Sequence, residues 1–112
     1  MNNKISETKN LYNAIDQIFK RYCQEMSKIT KGPQRPLKED YKSILYVVHV
    51  DRAFKSLDKE GRKILDNEFF FGNYQGWWRD LYSRAYFFKL KKRYAMEFII
   101  RLGIYGEDFI FE

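Results

Sequence analysis

Tyr12, Ile15, Phe19, Tyr22, Met26 and Ile29 recur at steps of +3, +4, +3, +4 and +3. Only an α-helix brings side chains at this spacing onto one side, because a strand alternates with a period of two. The stripe is widened by Leu11, Ile18 and Cys23 and predicts a helix from about Glu7 to Thr30, with Ser6 or Thr8 as its cap. A domain of 112 residues has one modest core and needs this face for it. The same heptad-like spacing also suits a short coiled coil, hence a homodimer through the first helix. The intramolecular use is the expectation, with Cys23 as a small core residue.

Lys31, Gly32, Pro33, Gln34, Arg35 and Pro36 then interrupt the pattern. Gly32 ends the first helix and the two prolines forbid its continuation. A second helix is expected from about Leu37 to Ser56, with Tyr41, Ile44, Leu45, Val48, Arg52 and Leu57 marking one face and Val47, Val50 and Phe54 close by. Asp58 restarts the chain as the N-cap of a third helix, which buries Ile64, Leu65 and the run Phe69, Phe70, Phe71 and closes at Gly72 and Asn73. A short fourth helix is expected around Tyr74, Trp77, Trp78 and Leu81. A fifth, capped by Ser83 and ended by Gly103, spans Arg84 to about Leu102. The chain thus reads as an all-α domain of about five helices. Its parts are an N-terminal amphipathic helix over residues 1–30, a linker over 31–36, a helical unit over 37–103 and a tail over 104–112.

The net charge of +6 is unevenly spread. Residues 1–42 are +4, residues 43–78 are neutral, residues 79–101 carry seven Lys/Arg against two Asp/Glu, and residues 102–112 are −3. A concentrated basic block is the electrostatic footprint of a polyanion partner. On a helical wheel the fifth helix divides cleanly. Phe87, Leu90, Tyr94 and Phe98 share one side; Arg84, Ala85, Phe88, Lys89 and Lys92 lie opposite. A helix that reads the DNA major groove needs this division, with its outer side carrying cations and small or apolar side chains. Arg84, Ala85, Phe88 and Lys89 are the candidate base-reading positions, and Lys91, Lys92 and Arg93 the candidate phosphate contacts. Beyond Ala95 the helix is apolar nearly all round and is expected to be buried, against the first helix for instance.

Leu57, Arg62, Ile64 and Leu65, then Phe69 and Phe70, then the run from Trp77 to Phe98 resemble region four of bacterial sigma factors. The segment is more similar still to phage transcription regulators of the RinA/ArpU kind, and it also resembles small proteins of wall-less bacteria. The resemblance covers about Val47 to Leu102, half the chain. It implies a helix-turn-helix in which Ser83 caps the recognition helix, Arg84, Ala85 and Lys89 meet bases, Lys91, Lys92 and Arg93 meet the backbone, and Ala95 crosses the core. The implied function is a DNA-binding transcriptional regulator acting on double-stranded DNA, with RNA polymerase as a possible protein partner. One departure points elsewhere. Where those families place an acidic-aliphatic-alanine triplet, this chain has Trp77, Trp78, Arg79 and Asp80. Two tryptophans there suit core; one of them left partly exposed would anchor a partner, which defines the alternative, a non-catalytic protein-interaction module.

No chemistry is expected. His49 is the single histidine and has no nucleophile near it in sequence. One His and one Cys supply no zinc site without carboxylate help, and no Gly-rich phosphate loop or nucleophile elbow is present. No cofactor, metal or membrane contact is expected. The lone cysteine, the polar first ten residues and the shortness of the apolar run Ile44 to Val48 make a cytoplasmic, reduced protein the expectation.

Overall fold

The computed structural model describes residues 3–30 and 37–105, with side chains over 7–29 and 41–103. The linker at 31–36 and the tail beyond Tyr105 lie outside the described residues. Four α-helices make the fold: α1 (Asn3–Thr30), α2 (Leu37–Lys55), α3 (Lys59–Leu65) and α4 (Arg84–Tyr105). A π-helical stretch, Asp66–Phe70, continues α3. Among the described residues there is no strand, and no helix is long and apolar enough to cross a membrane.

α1 and α2 pack side by side and antiparallel. The Tyr22 hydroxyl donates to Asp51 at 2.8 Å, Ser43 to Glu25 at 2.7 Å, and Tyr46 to the carbonyl of Ile18 at 3.3 Å. The α1 stripe turns inward from Tyr12 to Tyr22, whereas Met26, further along it, is exposed. Ile15 is fully buried, and Tyr12, Ile18 and Tyr22 pack against the core. Cys23 is exposed rather than in the core, because it follows Tyr22 by one residue and so points about 100° away from it.

α2 turns a different side inward from the one expected. Ser43, Tyr46, Val47, Val50 and Ala53 are buried, whereas Tyr41, Ile44 and Leu45 are exposed. Apolar residues ring this helix, so periodicity leaves its rotation open. Two hydroxyls decide it: Ser43 and Tyr46 face α1 because Glu25 and the Ile18 carbonyl accept from them. Hydrogen bonding the buried hydroxyls avoids the penalty of unpaired polar groups. The Ser43 hydroxyl, with Lys28 and Arg21 nearby, also holds the Glu25 carboxyl below its ordinary pKa.

α3 begins where expected. The Asp58 side chain accepts from the backbone N–H of Gly61 at 2.8 Å and caps the helix. At the far end of the π-helical stretch, the N–H groups of Phe71 and Gly72 both donate to the Asp66 carbonyl, and Gly72 turns the chain at φ +76°. Phe69 and Phe70 pack against the core, with Phe70 4.6 Å from Phe19 and 5.7 Å from Phe98. Phe71 is 83% exposed and not a core residue, since the helix has already ended there.

No fourth short helix forms at residues 74–82. Successive turns take its place, closed by Trp77 N–H to Tyr74, Arg79 N–H to Gly76 and Leu81 N–H to Trp78. A helix would send adjacent tryptophans about 100° apart. The turns bury both, Trp77 at 7% and Trp78 at 8% exposure, on one phenylalanine of α4. Trp78 stacks flat on Phe87 at 4.5 Å and Trp77 meets it edge-on at 5.7 Å.

α4 closes the core. Phe87, Leu90, Tyr94, Ala95, Phe98 and Leu102 are buried, the side expected from the wheel. Two expectations about its second half fail. Met96 and Ile100 are 47% and 58% exposed, because the other elements cover only one side of the helix. Gly103 lies inside the helix, which continues to Tyr105.

Two tyrosines tie these elements together and set an alkaline limit. Burial and the hydrogen bond to Asp51 push the Tyr22 phenol up to about 12. Tyr94 is raised well above the ordinary range, first by burial and then by donating to Glu60 and Asp58, each at 3.0 Å. The folded chain therefore keeps protons that the unfolded chain releases above the ordinary tyrosine value of 10.0. Stability from these groups is fully present below about pH 10 and declines as pH rises beyond it. Urea midpoints measured at about pH 8 and about pH 11 should fall at the higher value, and by less in Tyr22→Phe.

Candidate nucleic-acid interface

Ser83 starts α4 as a cap. Its hydroxyl accepts from the N–H of Tyr86 at 3.3 Å and its carbonyl from the N–H of Phe87 at 2.9 Å. From that fixed start, Phe87, Leu90 and Tyr94 anchor the inner side of the helix. Arg84, Ala85, Phe88, Lys89 and Arg93 are exposed and Lys92 is half-buried. No acidic residue precedes Glu97 in α4, so its first three turns offer an almost purely cationic outer side.

Lys91 departs from its expected role. Its ammonium lies 2.9 Å from the Glu68 carboxylate, and its side chain is 16% exposed. It also lies over the rings of Tyr12 at 4.6 Å and Phe69 at 5.2 Å. It is a structural cation joining α1, the π-helical stretch and α4, not a phosphate contact. The spacing carries the reason: Lys91 follows Phe87 by four residues and precedes Phe98 by seven, which puts it beside the buried side. Trp77 and Trp78, the candidate partner anchors, are both buried, and the indole N–H of Trp77 donates to Glu68 at 2.7 Å.

A cleft of about 650 Å³ opens between the turns at 75–82 and the start of α4. Gln75, Arg79, Arg84 and Phe88 line it above a floor that includes Glu68 and Lys91. At Gly76 the backbone has φ +87°, and a Cβ there would meet the Arg79 side chain at 2.9 Å. The Arg79 guanidinium also lies 5.9 Å from the Trp78 ring centroid. Arg79, Gln75 and Gly76 were not among the residues the sequence pointed to. The signal was a glycine three residues before an arginine in a turn, which is weak by itself. The Glu68 and Lys91 pair spans 23 positions and leaves no local trace.

Among the described residues, no group of three or more His, Cys, Asp and Glu is placed to hold a metal ion. No protein-family model matches the chain. No curated protein and no solved structure is significantly similar to it.

Proposed function

We propose that this chain is a DNA-binding transcriptional regulator in which α4 lies against double-stranded DNA. The observation that carries the reading is the division of α4: one side held rigidly by Phe87, Leu90, Tyr94 and Phe98, the other offering Arg84, Ala85, Lys89, Lys92 and Arg93 with no acid among them. A rigid, capped helix with a cationic outer side matches the width and charge of the major groove. Arg84, Ala85, Phe88 and Lys89, near the N-terminus, are the base-reading positions; Lys92 and Arg93 neutralise phosphates. In this reading the sigma-like unit is α3 with its π-helical extension, the connector 71–83 and α4, a looser arrangement than a tight helix-turn-helix. The role requires no bond-making step.

The test is fluorescence anisotropy with random duplex DNA over a salt series. Two cations on phosphates, Lys92 and Arg93, give a slope of log affinity against log salt of about −1.8; Arg84→Ala/Lys89→Ala/Lys92→Ala should make it shallower by about 0.9 and weaken binding at every salt concentration through the lost base contacts. A wild-type chain that fails to bind at low salt sinks the reading. One observation then favours the alternative, a non-catalytic module that binds a protein such as RNA polymerase. The exposed side of α4 continues into Met96 and Ile100, which line a shallow apolar groove of about 390 Å³ with Lys89 and Lys92. The buried Trp77 and Trp78 do not serve it as anchors.

A further inference from the structure

We infer that the cleft beside the start of α4 is a binding site for a nucleoside phosphate, its base against Phe88 and the rim of Trp78 and its phosphate on Arg79 and Arg84. The site shares Arg84 and Phe88 with the duplex reading and adds Gln75, Gly76 and Arg79, which are not on the outer side of α4. Charge is the first argument. Glu68 is the one acid in the lining, and it is spent on Lys91 at 2.9 Å and on the Trp77 indole at 2.7 Å. Neither Arg79 nor Arg84 has a carboxylate within ion-pair distance among the described residues, so no described acid but Glu68 lies with the two guanidiniums in the cleft. A guanidinium matches phosphate oxygens with paired N–H donors.

Shape is the second argument. The space of about 650 Å³ lies in the range of small-molecule sites and is far larger than a phosphate ion needs. Its other wall is aromatic: Phe88 is 42% exposed and packs edge-on to Trp78 at 5.5 Å. A planar base fills that wall, whereas inorganic phosphate leaves it wet. A wholly apolar ligand would strip water from two guanidiniums without replacing it. The third argument is construction. Gly76, with φ +87°, lets Arg79 fold back across its Cα, where a side chain would collide with the guanidinium. The glycine thereby leaves room for the arginine at the mouth of the cleft, beside Trp78.

The ligand is either a free nucleotide or an unpaired residue of a nucleic-acid strand. Trp77 and Trp78 are the only tryptophans and Trp78 lines the cleft, so intrinsic fluorescence serves as the readout. The full-length chain should be titrated with AMP, adenosine, inorganic phosphate and a short single-stranded oligodeoxyadenylate. Saturable change with AMP, at least tenfold tighter than with adenosine or phosphate and at least tenfold weaker in Arg79→Gln, supports a free nucleotide. Saturation by the oligonucleotide but not by AMP, with the same loss in Arg79→Gln, identifies the strand residue. Phe88→Leu, on α4 and outside the turns, gives a second variant should Arg79→Gln disturb the turns. No saturable change with AMP or the oligonucleotide overturns the site. So does phosphate binding as tightly as AMP, or unchanged affinity in both variants. Arg79 has no part in the duplex reading, so the loss in Arg79→Gln reports on the cleft whatever the duplex titration shows.

Discussion

Phe87→Ala should lower the stability of the chain by about 3–5 kcal/mol, the range for emptying a fully buried aromatic site. Phe87 has no exposed surface, and four aromatic rings meet it: Trp78, Trp77, Tyr82 and Phe88. The connector 74–82 has no regular helix to hold it. Its turns are fixed mainly by the two indoles on this ring. Removing the ring takes away both the buried area and the platform that makes the turns cohere. Small domains keep about 5–15 kcal/mol in total, so the loss is a large fraction of the whole. Urea denaturation followed by far-UV circular dichroism measures it, and the tryptophan near-UV signal should weaken with it. A loss under about 1 kcal/mol, no more than an average substitution costs, would show that the indoles are held by something else.

Gly61→Ala should destabilise by about 2 kcal/mol, although helix propensity alone forecasts a gain of about 1 kcal/mol for a glycine inside a helix. The sign reverses because a Cβ at residue 61 would lie 2.5 Å from Cδ1 and 2.8 Å from Cε1 of Tyr94. That ring cannot swing aside cheaply. It is buried, and its hydroxyl is pinned between Asp58 and Glu60 on the first turn of α3. The clash therefore pushes α3 off α4. Thermal melts of Gly61→Ala, Tyr94→Ala and the double variant test the account. The double variant should be less destabilised than the sum of the singles, since each relieves the crowding of the other. Strict additivity, or a stabilised Gly61→Ala, refutes it.

Much of the all-helical fold was legible because its longest elements carry their own signals. The α1 stripe, the Asp58 cap and the Ser83-capped start of α4 each rest on residues within a few positions of one another. In two of the misreadings a distant partner decided the outcome. α2 has apolar residues on every side, and its rotation follows from Glu25 and the Ile18 carbonyl on another helix. Trp77 and Trp78 look like part of a helix until Phe87 offers a surface for both. In the candidate interface, the outer cations Arg84 and Lys89 lie exposed where the wheel puts them, and Lys92 is half-buried. Lys91 was read by charge alone, though its spacing from Phe87 and Phe98 already gave it away. The cleft was invisible because it depends on Arg79 folding across Gly76, a turn geometry that no periodicity encodes.

The order of the helices along the chain has a consequence for biosynthesis. α1 and α2 leave the ribosome first and pair through neighbouring segments, yet Ile15 and Tyr12 depend for their cover on Phe69, Lys91 and the other side chains of the later elements. Until α4 emerges, the nascent helices carry an apolar side that is only partly covered. Such surfaces are what chaperones hold and what aggregates recruit. The last helix acts as the keystone: a translation product stopped before Arg84 lacks Phe87, Leu90, Tyr94, Phe98 and Leu102, the side of the core on which the earlier elements close.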